Sequence, residues 1–230
     1  MKQNNIIVSI EGNIGSGKST LLANLQEYFK NYTKIIFLKE PVDEWESITD
    51  ENGTSMLKLF YQDQKQHSFS FQMMALTTRI KLLKEAIKNN PDSIIITERS
   101  LYTDKMVFAK MLYDSKNIEI QNYKIYLNLF EIFAFDYKID HIIYVNTSPE
   151  ICYERIAKRS RDGESNISLE YLIKCHEYHN EMLSDVSLFK HQWMYDGNLE
   201  LHENKANFDI LIGKIIEIGF TNKVKDMLIF

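Results

Sequence analysis

The segment GNIGSGKST, Gly12 to Thr20, gathers three of the chain's eight glycines into nine residues, together with its first lysine after Lys2. Gly12, Gly17, Lys18 and Ser19 fill the spacing G-x-x-x-x-G-K-[ST], with Asn13, Ile14, Gly15 and Ser16 forming the turn between them and Thr20 following. Glycines let such a loop curl until several backbone N–H groups point inward at an anion. A helix starting near Ser19 adds its unpaired N-terminal N–H groups and its positive dipole end. Lys18 supplies a mobile charge for the outer phosphates, and the Ser19 hydroxyl is placed for Mg²⁺. The context agrees: the apolar run IIVSI precedes the loop, and Leu21, Leu22, Leu25 and Phe29 recur at helical spacing after it. Gly12 to Thr20 therefore predicts a nucleoside triphosphate site rather than a turn without function.

Other residues gain meaning from where apolar runs stop. Four of these ends read IEGNIGSGKS, LKEPVDEW, ITERSLYTD and VNTSPE. Glu40 is placed to accept a proton from a hydroxyl that attacks a phosphoryl group; an ordinary acidic loop residue would read the same way. Glu98 offers a ligand for Mg²⁺, and Arg99 can neutralise charge between donor and acceptor. A structural Glu–Arg pair at a helix start is the alternative. In RIAKRSRDGES, Arg155 and Arg159 are four apart and share one helix face, with Arg161 just beyond. They suit either a phosphate clamp on a closing lid or a solvated basic face. In FSFQMMALTTR, Phe71 and Gln72 border a cleft if this helix lines one, and the Gln72 amide both donates and accepts, as reading a nucleobase edge requires. Core packing is the default for the neighbouring Phe and Met residues.

The elements that must position these groups alternate. Short β-branched runs at Ile6–Glu11, Lys34–Lys39, Ser93–Thr97, His141–Asn146 and Leu199–His202 predict strands. Helical patterns fall near Ser19–Asn31, Thr54–His67, Phe69–Asn89, Leu101–Tyr113, Gln121–Tyr137, Pro149–Lys158, Leu169–Phe189 and Asn207–Gly219. Continuous runs such as IIIT and HIIYV indicate a parallel sheet buried on both faces. The expected architecture is an α/β three-layer fold, a five-stranded parallel sheet between helices, with ligands at the C-terminal strand ends. The chain has 230 residues, 44% hydrophobic and 26% charged, which fits one globular domain spanning residues 1–230 and excludes disordered and fibrous classes. A net charge of −5 argues against a nucleic-acid backbone as partner. Two cysteines, Cys152 and Cys175, lie in no metal spacing and read as free thiols in a reducing compartment. No signal-peptide core or bilayer-length apolar stretch occurs, so a soluble, cytoplasmic protein with no membrane partner is expected, a removed organelle presequence staying open.

Together, GNIGSGKST, EPVDEW, FSFQ, ERSLYTDKMVFAKMLY and RIAKRSRDGESNISLEYLIKCHEYH, in this order, resemble the cellular deoxyribonucleoside kinases. The resemblance spans about Ile6 to Leu183 and implies a P-loop kinase that moves the γ-phosphoryl of ATP, with Mg²⁺, to a deoxynucleoside 5′-hydroxyl. By it, Glu40 matches the carboxylate that binds and deprotonates that hydroxyl, Glu98 the Mg²⁺-side acid and Arg99 its transition-state partner. Tyr61 and Glu164 match the pair that holds the sugar 3′-hydroxyl. Ile14, Val42, Trp45, Leu57, Phe60, Phe71 and Phe108 resemble the nucleoside slot, and Gln72 the reader of the base edge. Arg155, Arg159 and Arg161 match the arginines of a mobile lid at about residues 155–167. Arg79 and Asp104 match the pair carried by cytidine- and purine-active members, which implies deoxyguanosine, deoxyadenosine or deoxycytidine over thymidine, a purine first. Gly163 departs from a frequent second acid, His67 from a frequent Trp, and Thr97 from an apolar residue. A homodimer follows from the resemblance alone. The rival readings are a nucleoside monophosphate kinase and a non-catalytic ATP-binding subunit.

Overall fold

In the structure, a computed structural model, residues 4–134, 136–159, 161, 163–200 and 202–221 are described. Ser160 and Asp162 of the expected lid, Phe135 of an expected helix, Leu201 of the expected last strand and the outer ends of the 1–230 span lie outside them.

Five strands, β1 (Ile6–Glu11), β2 (Ile35–Leu38), β3 (Ile94–Glu98), β4 (His141–Asn146) and β5 (Gln192–Asp196), form one sheet in the order β2-β3-β1-β4-β5. Every pairing is parallel. The central strands β1 and β3 are buried throughout, which their Ile-rich sequences require. The period-2 alternation of β1 divides its side chains between two cores. Val8 and Ile10 pack with Leu22 and Leu25 of α1 (Lys18–Tyr28) and Ile215 of α10 (Lys205–Thr221). Ile7 faces the other way, toward Leu76 and Leu83 of α4 (Gln64–Asn89) and Tyr126 and Phe130 of α7 (Ile120–Phe133). Beside β4, Tyr144 packs with Cys152 and Ile156 of α8 (Pro149–Arg159) and Leu172 and Cys175 of α9 (Leu169–Ser184). These are the three layers the strand–helix alternation calls for.

The last strand lies earlier than the sequence reading puts it, at Gln192–Asp196 rather than Leu199–His202. It is an edge strand, paired only with β4 from Ile142↔Gln192 to Asn146↔Asp196. An edge needs only partial burial, so Tyr195 is buried while Met194 is 69% exposed, and the weak pattern QWMYD suffices. A short helix, α2 (Val42–Ser47), begins within EPVDEW, where the sequence patterns assign no element.

The expected helix Thr54–His67 is two elements, because two caps interrupt it. Ser55 accepts from the Lys58 N–H and opens α3 (Met56–Gln62). Asp63 leaves the helical region at φ −143, ψ 86, closes α3 and caps α4 by accepting from the Gln66 N–H. Elsewhere the expected Leu101–Tyr113 helix is α5 (Leu101–Thr103), a π-helical stretch Asp104–Ala109 and α6 (Lys110–Asp114).

Asp63 starts the 26-residue helix that carries the slot residues. Asp63→Ala is expected to cost about 1 kcal/mol of stability. In a chain of this size that is a drop of about 2–4 °C in Tm. An unchanged melting curve would deny the cap its role.

Candidate active site

The P-loop Gly12–Thr20 joins β1 to α1, and its geometry is that of an anion cradle. Gly15 has φ +79, and a Cβ there would sit 2.6 Å from the Cys152 carbonyl oxygen, so only glycine lets α8 pack this close. Gly17 is the N-cap of α1 and brings no capping side chain, which leaves the first-turn N–H groups to an anion. Lys18 Nζ donates to the Asn13 carbonyl at 2.7 Å. Asn13 in turn donates its amide to the Leu172 carbonyl at 2.8 Å, which ties the loop to α9. The Ser16 carbonyl accepts from Thr147 at 2.9 Å and from Arg155 Nη1 at 3.4 Å.

A buried charge network lies across the loop's mouth. Glu40 Oε1 accepts from Arg99 Nη1 at 2.7 Å and from Arg79 Nη2 at 3.1 Å. Arg79 Nε also donates to Asp104 Oδ2 at 2.8 Å, and its Nη1 to the Glu98 carbonyl at 2.8 Å. Arg99 Nη2 donates to the Gly12 carbonyl at 3.2 Å, and its guanidinium stands 4.9 Å from the Phe108 ring centre. Ser19 Oγ donates to Glu98 Oε1 at 2.5 Å. Burial alone would push the Glu40 carboxyl up; the charges of Arg99, Arg79 and Lys18 outweigh it and hold the group at about 2. Burial, seconded by the Arg99 charge, lowers Lys18 to about 8 against the pull of Glu98 and Glu40.

One cavity of about 750 Å³ runs from the P-loop to an aromatic slot. Phe60 and Phe71 stack with centroids 4.5 Å apart, Trp45 meets Phe71 edge-on at 5.5 Å, and Trp45 Nε1 donates to Thr78 at 3.0 Å. Ile14, Val42, Leu57, Tyr61, Gln72, Asp104 and Phe108 complete the walls. Gln72 is buried, and its Oε1 has no hydrogen-bond partner among the described residues. Burial, with the charge of Glu164, raises the Tyr61 phenol well above its usual range, so it remains a hydroxyl. Arg155, Arg159, Arg161 and Glu164 also line it.

Most residues singled out from sequence therefore line one cavity. Gly12, Asn13, Ser16 and Arg79 are not on its wall; they brace it from behind through the bonds above. Glu164 is held by Arg159, through Nε at 2.7 Å and Nη2 at 2.6 Å, and by Arg161 at 3.3 Å. Arg155 donates to the Gly197 carbonyl at 2.6 Å. Gly163 has φ +85 and lies against the Lys58 backbone, so a side chain added to this conformation would be strained. The wall also contains Lys39, Asp43, Ala75, Tyr171 and Glu200, which the sequence reading passed over. Lys39 and Asp43 flank Glu40 and were within reach of it; Tyr171 and Glu200 arrive from distant elements with no local signal. Among the described residues no three His, Cys, Asp or Glu side chains group as a metal site.

Residues 8–218 match the family model described as deoxynucleoside kinase. A probable deoxycytidine kinase of fowlpox virus is 36% identical over 180 residues, covering 77% of this chain and 72% of that one. The mitochondrial thymidine kinase 2 of Homo sapiens is 33% identical over 190 residues, covering 82% and 68%. The solved structure of deoxyadenosine kinase from M. mycoides, with the products dCMP and a flexible dCDP bound, superposes with a TM-score of 0.75 at 27% identity, covering 92% of this chain and all of that one.

The low pKa of Lys18 has a consequence for phosphate binding. Below about 8 the free protein meets a triphosphate with Lys18 charged; above it, binding must draw in a proton. Affinity is therefore expected to fall as pH rises from about 7 to 9.5, by at most about tenfold per unit beyond the Lys18 pKa. Titration calorimetry with ATP in buffers of different ionisation enthalpy reads both the affinity and the proton uptake. A Kd that stays flat across this window, with no uptake, contradicts the assignment.

Proposed function

The chain belongs to the deoxynucleoside kinase family, and from that premise we propose that it transfers the γ-phosphoryl of ATP to the 5′-hydroxyl of a deoxyribonucleoside in deoxynucleotide salvage. One observation carries this reading above the others. Glu40, clamped by Arg79 and Arg99, stands where the P-loop end of the cavity meets the aromatic slot.

The nucleoside enters the slot with its base against Phe71, Phe60 and Trp45 and its sugar toward Tyr61 and Glu164. Both guanidinium groups bond Oε1 of Glu40, so Oε2 takes the 5′-hydroxyl, orients it, and accepts its proton late in the transfer. Phosphoryl transfer has a loose transition state, so placement and charge neutralisation dominate. Lys18 and Arg99 meet the transferring group, and Arg155, Arg159 and Arg161 close over the phosphates as the segment at about 155–167 folds down as a lid. The Ser19 hydroxyl and Glu98 carboxylate, 2.5 Å apart, fit Mg²⁺, which takes few protein carboxylates and completes its shell with substrate phosphates. That ion, when bound, neutralises charge on the phosphate oxygens.

Base preference follows from the far end of the slot. Gln72 brings an unpaired buried amide oxygen, and Asp104, held by Arg79, a carboxylate. A carboxylate accepts from the exocyclic amine of adenine or cytosine and repels thymine O4, while the Gln72 amide, which both donates and accepts, can meet a guanine edge; Arg79, behind the wall, acts by holding Asp104. The named relatives differ in the base they act on, so it is this pair that supports deoxyguanosine, deoxyadenosine or deoxycytidine over thymidine, with a purine first. We place a homodimer contact on α4 and α7; α7 exposes Ile125, Ile132 and Phe133. No helix among the described residues is long and apolar enough to cross a membrane.

Steady-state assays with ATP, the four deoxynucleosides and their monophosphates test the reading. Turnover of the nucleosides is expected, with thymidine slowest. Glu40→Gln is expected to lower kcat by about 10²–10⁴. Activity on the monophosphates alone, or wild-type turnover by the Glu40 variant, would refute it; thymidine as the preferred substrate would overturn the base assignment.

A further inference from the structure

β1 ends in a charge that the transfer chemistry leaves unused. Glu11, immediately before the P-loop, is 0% exposed. Its Oε1 accepts from the Ser9 hydroxyl at 2.6 Å and its Oε2 from the Thr103 hydroxyl. Neither partner is a cation. A carboxylate buried in the middle strand of a sheet is costly, and hydroxyl partners compensate it only in part. An apolar residue would suit this position better if packing were all that mattered.

What Glu11 touches suggests the reason. Three successive residues, Ile10, Glu11 and Gly12, each grip the segment that carries Arg99. The Ile10 carbonyl accepts from the Arg99 N–H at 2.9 Å. Glu11 takes the Thr103 hydroxyl, and the Gly12 carbonyl accepts from Arg99 Nη2 at 3.2 Å. Thr103 also donates its N–H to the Ser100 hydroxyl at 3.2 Å, closing the turn that follows Arg99. Arg99 itself sits at φ +65, a left-handed backbone that a non-glycine residue holds only when its surroundings impose it. Burial works against the Arg99 charge; Glu40 first, and Glu11 after it, favour that charge.

We propose that Glu11 is a positioning residue for phosphoryl transfer, fixing through Thr103 the strained turn that aims Arg99 across the mouth of the P-loop. The inference rests on the kinase reading above. Glu11 reaches Arg99 through Thr103 and through its charge, and it is not on the cavity wall.

Two near-isosteric variants separate its two means of action: Glu11→Gln removes the charge, and Thr103→Val removes the tether. Each is expected to lower kcat about 10–100-fold, with both KM values within about threefold of wild type, as a misplaced transition-state group should. In an Arg99→Lys protein the same changes should cost less than about threefold, because their route runs through the guanidinium. A general packing defect would instead lower Tm and reduce kcat by the same factor with either residue at 99. Equal losses in both proteins, or turnover within about twofold of wild type for both single variants, overturn the proposal. Thr103→Val keeps the test decisive if Glu11→Gln does not fold. A wild-type protein with no nucleoside-dependent ATP turnover would instead sink the kinase reading, and this inference with it.

Discussion

Two arginines share one buried volume because a single carboxylate oxygen holds both. Without Glu40, Arg79 and Arg99 would repel each other with little water to screen them. The constraint reaches outward from there. Arg79 comes from α4, Arg99 from the end of β3 and Glu40 from the end of β2. They meet only because β2, β3 and β1 are neighbours in the sheet, which sets their carboxyl ends beside the P-loop. The other donors of Arg79 then bind Asp104 and the Glu98 carbonyl, so the same clamp reaches both the Asp104 side of the slot and the Ser19–Glu98 pair.

The π-helical stretch Asp104–Ala109 belongs to the same design. Such segments are uncommon and concentrate at functional sites. Here the widened turn turns both Asp104 and Phe108 to the cavity, one pairing with Arg79 and the other lying under Arg99. On the other side of the cavity Arg159 and Arg161 both pair with Glu164, all within one short segment.

Much of this was legible in the sequence because the motifs are local. GNIGSGKST carries its own loop geometry, and the Ile-rich runs of β1 and β3 name the centre of the sheet. The strand ends pointed to Glu40, Glu98 and Arg99, and these three do meet. Less legible was whatever depends on contacts between distant segments. The edge strand β5 has a weak pattern because only part of it is buried. The break at Asp63 is a capping effect that a periodic reading smooths over. No spacing rule places Tyr171 or Glu200 on the cavity wall, and nothing near Glu11 announces its bond to Thr103, 92 residues away.

The central claim is that Glu40, while clamped by two arginines, faces both the nucleoside and the triphosphate. The most direct measurement is a crystal structure of the protein with a deoxynucleoside and a non-hydrolysable ATP analogue. The account predicts the nucleoside 5′-oxygen at hydrogen-bond distance, about 2.6–3.2 Å, from Glu40. It also predicts the terminal phosphorus in near-attack range of that oxygen, about 3–3.5 Å. A complex in which the nucleoside lies outside the aromatic slot, or in which the Glu40 carboxylate has turned to solvent away from the phosphates, would contradict it.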